Sequence, residues 1–386
     1  MKIALFADTY YPDLNGVVIS VDNIARELRA KGHKVYIFAP KIKGPHKDSD
    51  LDLIRLPSIK ILSKVEPEIH SPIPWFNKEF RRMFKEDYDI IHAHGNGPYS
   101  ALGLIVARVK HIPFVMTFHT VHSLYTHYIF GGKLIKPGHV ELFLKIFANR
   151  CDSILTVSQK MKDELRRYGV KKHIYITPNF LDLKRFKALK KGYLHKRLNL
   201  PEGVQIITTV GRIGKEKNID FLLRVFKKVY GQSKNTHFVI IGQGPEKENL
   251  EQLAQKLGVS DRVHFTGKIS YEFMPQAYHD SDIFVFASFT ETQGIVVLEA
   301  DAAGVPSVLN DDAAFKNMVY DGKNGFLVSL DEDEFAEKIL NLLKNVKLRK
   351  KMSIEARKIA FEDFNPEVLT NNLLEIYEKT IDEARK

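Results

Sequence analysis

The chain has 386 residues, more than one ordinary domain holds, so two domains of roughly 150–200 residues are expected. Hydrophobic residues make up 44% and charged residues 27%, the balance of a soluble globular protein, and the one cysteine, Cys151, excludes an internal disulfide framework and suits a reducing cytosol. No apolar run approaches the roughly 18 residues of a membrane span, and the opening run, 3–7, is too short for a signal-peptide core. The net charge of +11 is uneven: residues 1–200 carry 34 Lys+Arg against 18 Asp+Glu, and the remainder carries 24 against 29. A basic half beside a mildly acidic one suggests an anionic partner for the first, whether nucleic acid, nucleotide or acidic membrane.

In chain order, strand candidates at 3–7, 35–39, 90–93, 114–118, 153–157 and 174–177 alternate with amphipathic helical patterns at 17–31, 99–110 and 159–168. Such alternation predicts a parallel sheet covered on both faces. The pattern restarts with strands at 205–210, 237–241, 263–266, 283–287 and 307–309, after a charged junction at 183–201 that includes Lys184, Arg185 and Lys187. Residues 331–386 read as helical, broken near Asn365-Pro366, where proline disfavours continuation. The expected architecture is α/β: two Rossmann-like, doubly wound parallel-sheet domains at 1–182 and 201–365. Their strand carboxyl ends are expected to face a central cleft, with the helix at about 366–386 packing back on the first domain.

The candidate functional residues sit at strand ends. After the first strand, residues 8–16 lead through Asn15-Gly16 into a helix, where backbone can approach a phosphate; an ordinary capped turn fits equally. In the second half, Gly211-Arg212 to Lys217 places two cations where a diphosphate would be gripped, although a solvated basic loop has the same composition. Gly242-Gln243-Gly244-Pro245 resembles half a dinucleotide fingerprint, but position 247 is Lys, so the pattern fails and a tight strand-to-helix turn is the better reading.

The sharpest segment runs from Glu291 through Gln293, Gly294 and Ile295 to Glu299. Glu291 follows a strand, and Glu299 lies in an apolar helical stretch, where a carboxylate is costly unless it meets donors such as sugar hydroxyls. Helix capping by Glu291 and a partly exposed Glu299 are the plainer alternative. His119 tips a strand where ligands bind. His92, His94, His122 and His127 lie nearby in sequence, yet no spacing among them matches a metal-ligand motif, so zinc is not expected. Asp280-Ser281-Asp282 falls in the turn that enters a strand and reads as structural.

Taken together, Asn15-Gly16-Val17, Gly211-Arg212 to Lys217, Gly242 to Pro245, and Glu291 to Glu299 followed by Ala300-Asp301-Ala302-Ala303-Gly304-Val305-Pro306 resemble the retaining glycosyltransferases of family 4, which have the two-domain GT-B fold. The likeness covers nearly the whole chain, departing in Asn15 where Gly-Gly is common and in Thr292-Gln293 where Ser-Phe is commoner. It implies that Arg212 and Lys217 grip the donor diphosphate, that Glu299 holds the ribose hydroxyls and that Glu291 holds the transferred sugar. Backbone from Gln293, Gly294 and Ile295 would assist, Gly16 would lie beneath the phosphates, and Gly267, Lys268 and Ile269 would offer backbone to the base. His119 would join Glu291, Arg212 and Lys217 at the reacting centre.

The resemblance further implies retention of configuration, with the leaving phosphate as base, no essential divalent metal and no other cofactor. Residues 117–129 look like the subgroup that glucosylates diacylglycerol. The expectation is therefore UDP-glucose as donor, a membrane lipid as acceptor, and peripheral attachment to the inner face of the cell membrane from the cytoplasm. Lys133, Lys136 and the amphipathic stretch 140–148 would supply that attachment on an anionic surface. Mannosyl transfer from GDP-mannose to an inositol lipid or a soluble sugar is the alternative. An NAD-dependent oxidoreductase lacks its glycine fingerprint here, and no nucleic-acid-binding motif appears.

Overall fold

The computed structural model describes residues 1–13, 15–42, 52–62, 69–73, 78–119 and 137–385. The chain divides into two units, Met1–Phe180 with Pro366–Lys386, and Leu181–Asn365.

The first unit runs β1 (Lys2–Ala7), α1 (Gly16–Ala30), β2 (Lys34–Pro40), β3 (Leu53–Leu56), β4 (Ser58–Leu62), β5 (Ile69–Pro72), α2 (Lys78–Lys85), β6 (Ile90–His94), α3 (Pro98–Lys110), β7 (Phe114–Phe118), α4 (Pro137–Ala148), β8 (Ser153–Thr156), α5 (Gln159–Arg167) and β9 (Ile174–Ile176). Seven strands form one sheet in the order β3-β2-β1-β6-β7-β8-β9, every pair parallel. β1 buries five consecutive residues, as a parallel strand sandwiched between helices must. One face packs Phe6, Phe38 and Met116 against α2 to α5 through Met83, Val106, Leu144 and Leu165. The other packs Ile3, Leu5 and Ile37 against α1 through Val18 and Leu28.

The second unit opens with a 3-10 turn at Leu183–Phe186 and continues α6 (Tyr193–Leu198), β10 (Gln205–Val210), α7 (Ile219–Gln232), β11 (Thr236–Ile241), α8 (Lys247–Lys256), β12 (Val263–Gly267), α9 (Met274–His279), β13 (Ile283–Phe286), α10 (Ile295–Ala302), β14 (Ser307–Asn310), β15 (Gly325–Val328), α11 (Glu332–Lys344) and α12 (Val346–Glu362). Its sheet, β12-β11-β10-β13-β14-β15, is again parallel throughout. The final helix, α13 (Pro366–Ala384), returns to the first unit, where Leu369, Leu373 and Tyr377 join the α1 face and Thr380 meets Ser153 at 2.7 Å.

Several elements differ from the sequence reading. The stretch 183–201 is no bare junction: Leu183, Phe186 and Leu194 are core residues of the second unit, hidden in sequence among lysines. Asp280 anchors that stretch by accepting the N–H groups of Gly192 and Leu194, each at 2.6 Å. β3, β4, β5 and β15 are four or five residues long, too short to show a period, and α2 is strongly charged. The carboxyl-terminal helical stretch has a second break at Asn345, which ends α11 and caps α12 by accepting from Leu348 N–H at 3.0 Å. Among the described residues no helix is long and apolar enough to cross a membrane.

Candidate functional site

In the first unit, the register sets His94 beside Ala7 on one side and Thr117 on the other, so the ends of β1, β6 and β7 lie together. Asp8, the first residue past β1, is the hub of this rim. Its carboxylate accepts from the backbone N–H of Gly97 and of Tyr99 at 2.8 Å each, and from the Ser100 hydroxyl at 2.8 Å, which satisfies the amino terminus of α3. A Cβ at Gly95 or Gly97 would stand 2.7 Å from that carboxylate, so glycine is required for the loop to close on it. Burial pushes the Asp8 carboxyl above the usual range, against these three hydrogen bonds and a longer one from Ser100 N–H at 3.4 Å. Asn15 caps α1 by accepting from Val17 and Val18 N–H at 3.0 and 3.1 Å, and Gly16 has open space around its Cα.

Three histidines meet below this rim. His92 bonds the Tyr377 hydroxyl at 2.6 Å and the Thr117 hydroxyl at 2.7 Å, and His94 Nδ1 lies 3.1 Å from His119 Nε2. Burial holds all three neutral: His92 falls to about 3, His119 to about 4, and His94 goes well below the ordinary value. Each contact is ring to hydroxyl or ring to ring. Among the described residues, no group of three or more His, Cys, Asp or Glu is arranged to hold a metal ion. His122 and His127, with Lys133 and Lys136, lie outside the described residues.

In the second unit, three glycine loops close over the ends of β10, β11 and β12. Gly211 N–H donates to Ile241 O at 3.0 Å, Ile213 N–H to Gln243 O at 2.9 Å, and Gly242 N–H to Gly267 O at 3.1 Å. Gly242 has φ +145°, and a Cβ there would fall 1.8 Å from Gly211 O; one at Gly244 would fall 2.2 Å from Ile213 O. The Gly-x-Gly pair therefore does more than turn a strand into a helix: it lets two loops touch backbone to backbone. Ile269 leaves this rim to join the core.

Beside the loops, the Lys217 ammonium is ion-paired with the Glu291 carboxylate. Gly294, at φ +78°, turns the chain into α10, and a Cβ there would meet the Phe315 ring at 2.7 Å. The first N–H groups of α10 have no intrahelical acceptor, so the helix begins as a set of donors beside Glu291. Glu299, one α10 turn further in, is 7% exposed and accepts from the Tyr278 hydroxyl at 2.8 Å. Burial raises its pKa, opposed by the Tyr278 bond and by the positive charge of Arg185. That guanidinium lies 3.4 Å over the Tyr271 ring centre and donates to Tyr271 O.

The site residues read from sequence thus fall into two sets. Gly16 and His119 lie on the first unit's rim; Arg212, Lys217, Gly267, Lys268, Glu291, Gln293, Gly294, Ile295 and Glu299 lie on or near the second's. Asp8, Tyr278 and Arg185 escaped sequence reasoning, because their partners stand 21 to 92 residues away.

Residues 14–185 match the family model described as Glycosyltransferase Family 4, and residues 191–359 match Glycosyl transferases group 1. An alpha-monoglucosyldiacylglycerol synthase of Streptococcus pneumoniae is 31% identical over 97% of this chain and 82% of its own length. The chain belongs to the family 4 glycosyltransferases. A second alpha-monoglucosyldiacylglycerol synthase, from Acholeplasma laidlawii, is 30% identical over 100% of this chain and 99% of its own. A GDP-mannose-dependent alpha-mannosyltransferase of Corynebacterium glutamicum is 26% identical over 87% and 78%. Among solved structures, Anabaena HepE in complex with UDP superposes with a TM-score of 0.75 at 17% identity, covering 98% of this chain and 100% of that one. The two parallel-sheet units of this family 4 glycosyltransferase are those of the GT-B fold.

Proposed function

We propose that this glycosyltransferase moves glucose from UDP-glucose to a diacylglycerol-type membrane lipid, with retention of anomeric configuration. The observation that carries the lipid acceptor is the outer face of α4, where Leu142, Phe143 and Ile146 are 55%, 50% and 45% exposed beside an exposed Lys145. Four large apolar or basic groups within five residues of one helix suit shallow insertion at an anionic surface. Two relatives, 31% and 30% identical to this chain, are named for a lipid glucoside, which agrees with that face.

In this reading Arg212 and Lys217 take the donor diphosphate and supply positive charge where negative charge develops. Glu291 holds the transferred sugar, Glu299 the ribose hydroxyls, and the α10 amino terminus assists. His119, neutral at pH 7, hydrogen-bonds at the reacting centre, and the departing phosphate takes the acceptor proton on the face it leaves. No divalent metal is required for this arrangement. The enzyme would work attached to the inner face of the cell membrane.

Mannosyl transfer is the second reading, favoured by the likeness to the GDP-mannose-dependent enzyme. Radiolabelled UDP-glucose and GDP-mannose, each offered with diacylglycerol in mixed micelles, decide between them. Label from UDP-glucose should move into the organic phase. Transfer only from GDP-mannose, or only to a soluble sugar, would overturn the proposal.

A further inference from the structure

A cavity of about 390 Å³ opens in the second unit, away from the glycine rim. Its wall includes Asp282, which leads into β13, and Gly304, which precedes β14, so it lies at the amino-terminal edge of strands whose carboxyl ends carry Glu291 and the glycine loops. Lys187, Lys191, Arg349, Lys350 and Arg357 face it, against Asp282 as the acid.

The two arginines are fixed in place. Arg349 pairs with Asp282 at 3.1 Å and donates to Leu342 O at 2.9 Å, and Arg357 donates to Ala302 O and Phe186 O at 2.7 Å each. The one acid is therefore already matched to one base. Lys187, Lys191 and Lys350 are exposed and, among the described residues, make no ion pair. Other lysines of this unit do find acids: Lys228 meets Asp333 at 2.7 Å, Lys316 meets Asp311 at 3.2 Å and Lys247 meets Glu251 at 3.3 Å. The second unit, 181–365, carries 28 bases against 25 acids, so its charge is nearly balanced and five bases facing one acid is a local concentration. It gathers positive potential in a concavity, where field lines focus on an anion. The positive end of α12 opens on the same space through Val346. The volume suits a small organic molecule.

We propose that this cavity is a second anion site, which takes a phosphate-bearing molecule at the edge of the sheet opposite the donor rim. The phosphate comes either from a soluble phosphate ester or from a phospholipid headgroup; the recognising chemistry is the same.

The test uses the full chain and the triple variant Lys187→Gln/Lys191→Gln/Lys350→Gln, whose side chains are exposed, so that thermal unfolding should stay near that of the parent. Calorimetric titration with sn-glycerol 1-phosphate, at constant ionic strength with chloride as reference, should give saturable binding that the triple variant weakens at least tenfold. Lys217→Ala, on the donor rim, should leave that binding unchanged. Co-sedimentation with phosphatidylglycerol vesicles then separates the sources. Pelleting that falls in the triple variant assigns the phosphate to lipid, and unchanged pelleting assigns it to a soluble ester; both support the site. Binding no better than chloride, or equal in parent and triple variant, would overturn it, as would loss of binding in Lys217→Ala alone.

Discussion

Lys217 and Glu291, 74 residues apart in sequence, form an ion pair in which each side chain is less than a fifth exposed. One comes from the turn after β10 and the other from the turn after β13, and these strands are neighbours in the sheet. The pair is therefore set by the backbone, and each partner holds the other in one geometry. Lys217→Ala and Glu291→Gln should each reduce kcat by a hundredfold or more, about 3 kcal/mol of barrier, while circular dichroism stays that of the parent. Because the two act together, the double variant should lose much less than the product of the single losses. Near-normal turnover in either single variant removes that residue from the site.

The contact between the Gly211 and Gly242 loops separates a structural glycine from a functional one. Gly242→Ala sets a Cβ 1.8 Å from Gly211 O at a left-handed φ, and should destabilise the second unit by about 2 kcal/mol or more. Gly16→Ala, with nothing within 4 Å, should leave stability unchanged while weakening donor binding. Urea unfolding of both variants checks this; equal stability of the two would show that the loops can part without cost.

Much of this was readable in the chain, and the reasons are local. Buried parallel strands such as β1 and β11 are continuous apolar runs, so their periodicity and ends show directly. Glu299 announced itself as a carboxylate in an apolar helix, and it is indeed buried. The pairing of Lys217 with Glu291 and of Asp8 with Gly97 had no local signature, since only the sheet order makes those turns neighbours. β15 escaped because four residues carry no period, and because Gly325, which breaks the apolar pattern, is what lets the strand approach Ser307 O. The core residues Leu183, Phe186 and Leu194 were masked by a lysine-rich composition that reads as linker.

The buried histidines make stability depend on pH. In the unfolded chain each titrates near 6.5, whereas folding lowers His92 to about 3 and His119 to about 4, with His94 moved in the same direction. Below pH 6.5 the unfolded state binds more protons, so stability must fall as pH falls toward 4, by about 1.4 kcal/mol per pH unit for each such group. Asp8, Glu299 and Asp301, whose carboxyls are raised by burial, act in the opposite sense from the ordinary carboxylate range up to their raised values and offset part of this fall. Urea midpoints measured from pH 7.5 to 5.0 should decline, and His92→Gln should make the decline shallower. An unchanged slope in His92→Gln would mean that this imidazole is not held neutral.

Chelation tests the role assigned to the aspartates. Asp280 accepts from Gly192 and Leu194 N–H, and Asp282 accepts from Ile206 N–H at 2.9 Å and pairs with Arg349. Both carboxylates are engaged in holding the chain, and in the proposed mechanism Arg212 and Lys217 supply the charge at the diphosphate. EDTA should leave most of the transferase activity. Complete loss, restored by Mn²⁺ or Mg²⁺, would reinstate a metal at the diphosphate.

In the function proposed above, membrane attachment combines charge with shallow apolar contact. The first 200 residues carry an excess of 16 bases, and α4 presents Leu142, Phe143 and Ile146 outward beside Lys145. Each basic group near an anionic surface contributes about 1 kcal/mol, an attraction that fades as the Debye length shrinks to about 3 Å near 1 M salt. Liposome co-sedimentation should therefore rise with the anionic lipid fraction and fall with salt. Replacing Lys133, Lys136 and Lys145 by Glu should weaken it at every salt concentration. Leu142→Ser/Phe143→Ser/Ile146→Ser should instead remove the part that persists at high salt, since apolar insertion is not screened. Those three side chains are half exposed, so the variant should fold, and its activity toward a detergent-dispersed lipid should exceed its activity on vesicles. Equal pelleting with neutral and anionic vesicles, indifferent to salt and to both sets of substitutions, would sink the docking idea. The transferase assignment would stand, and a soluble sugar would become the acceptor to test.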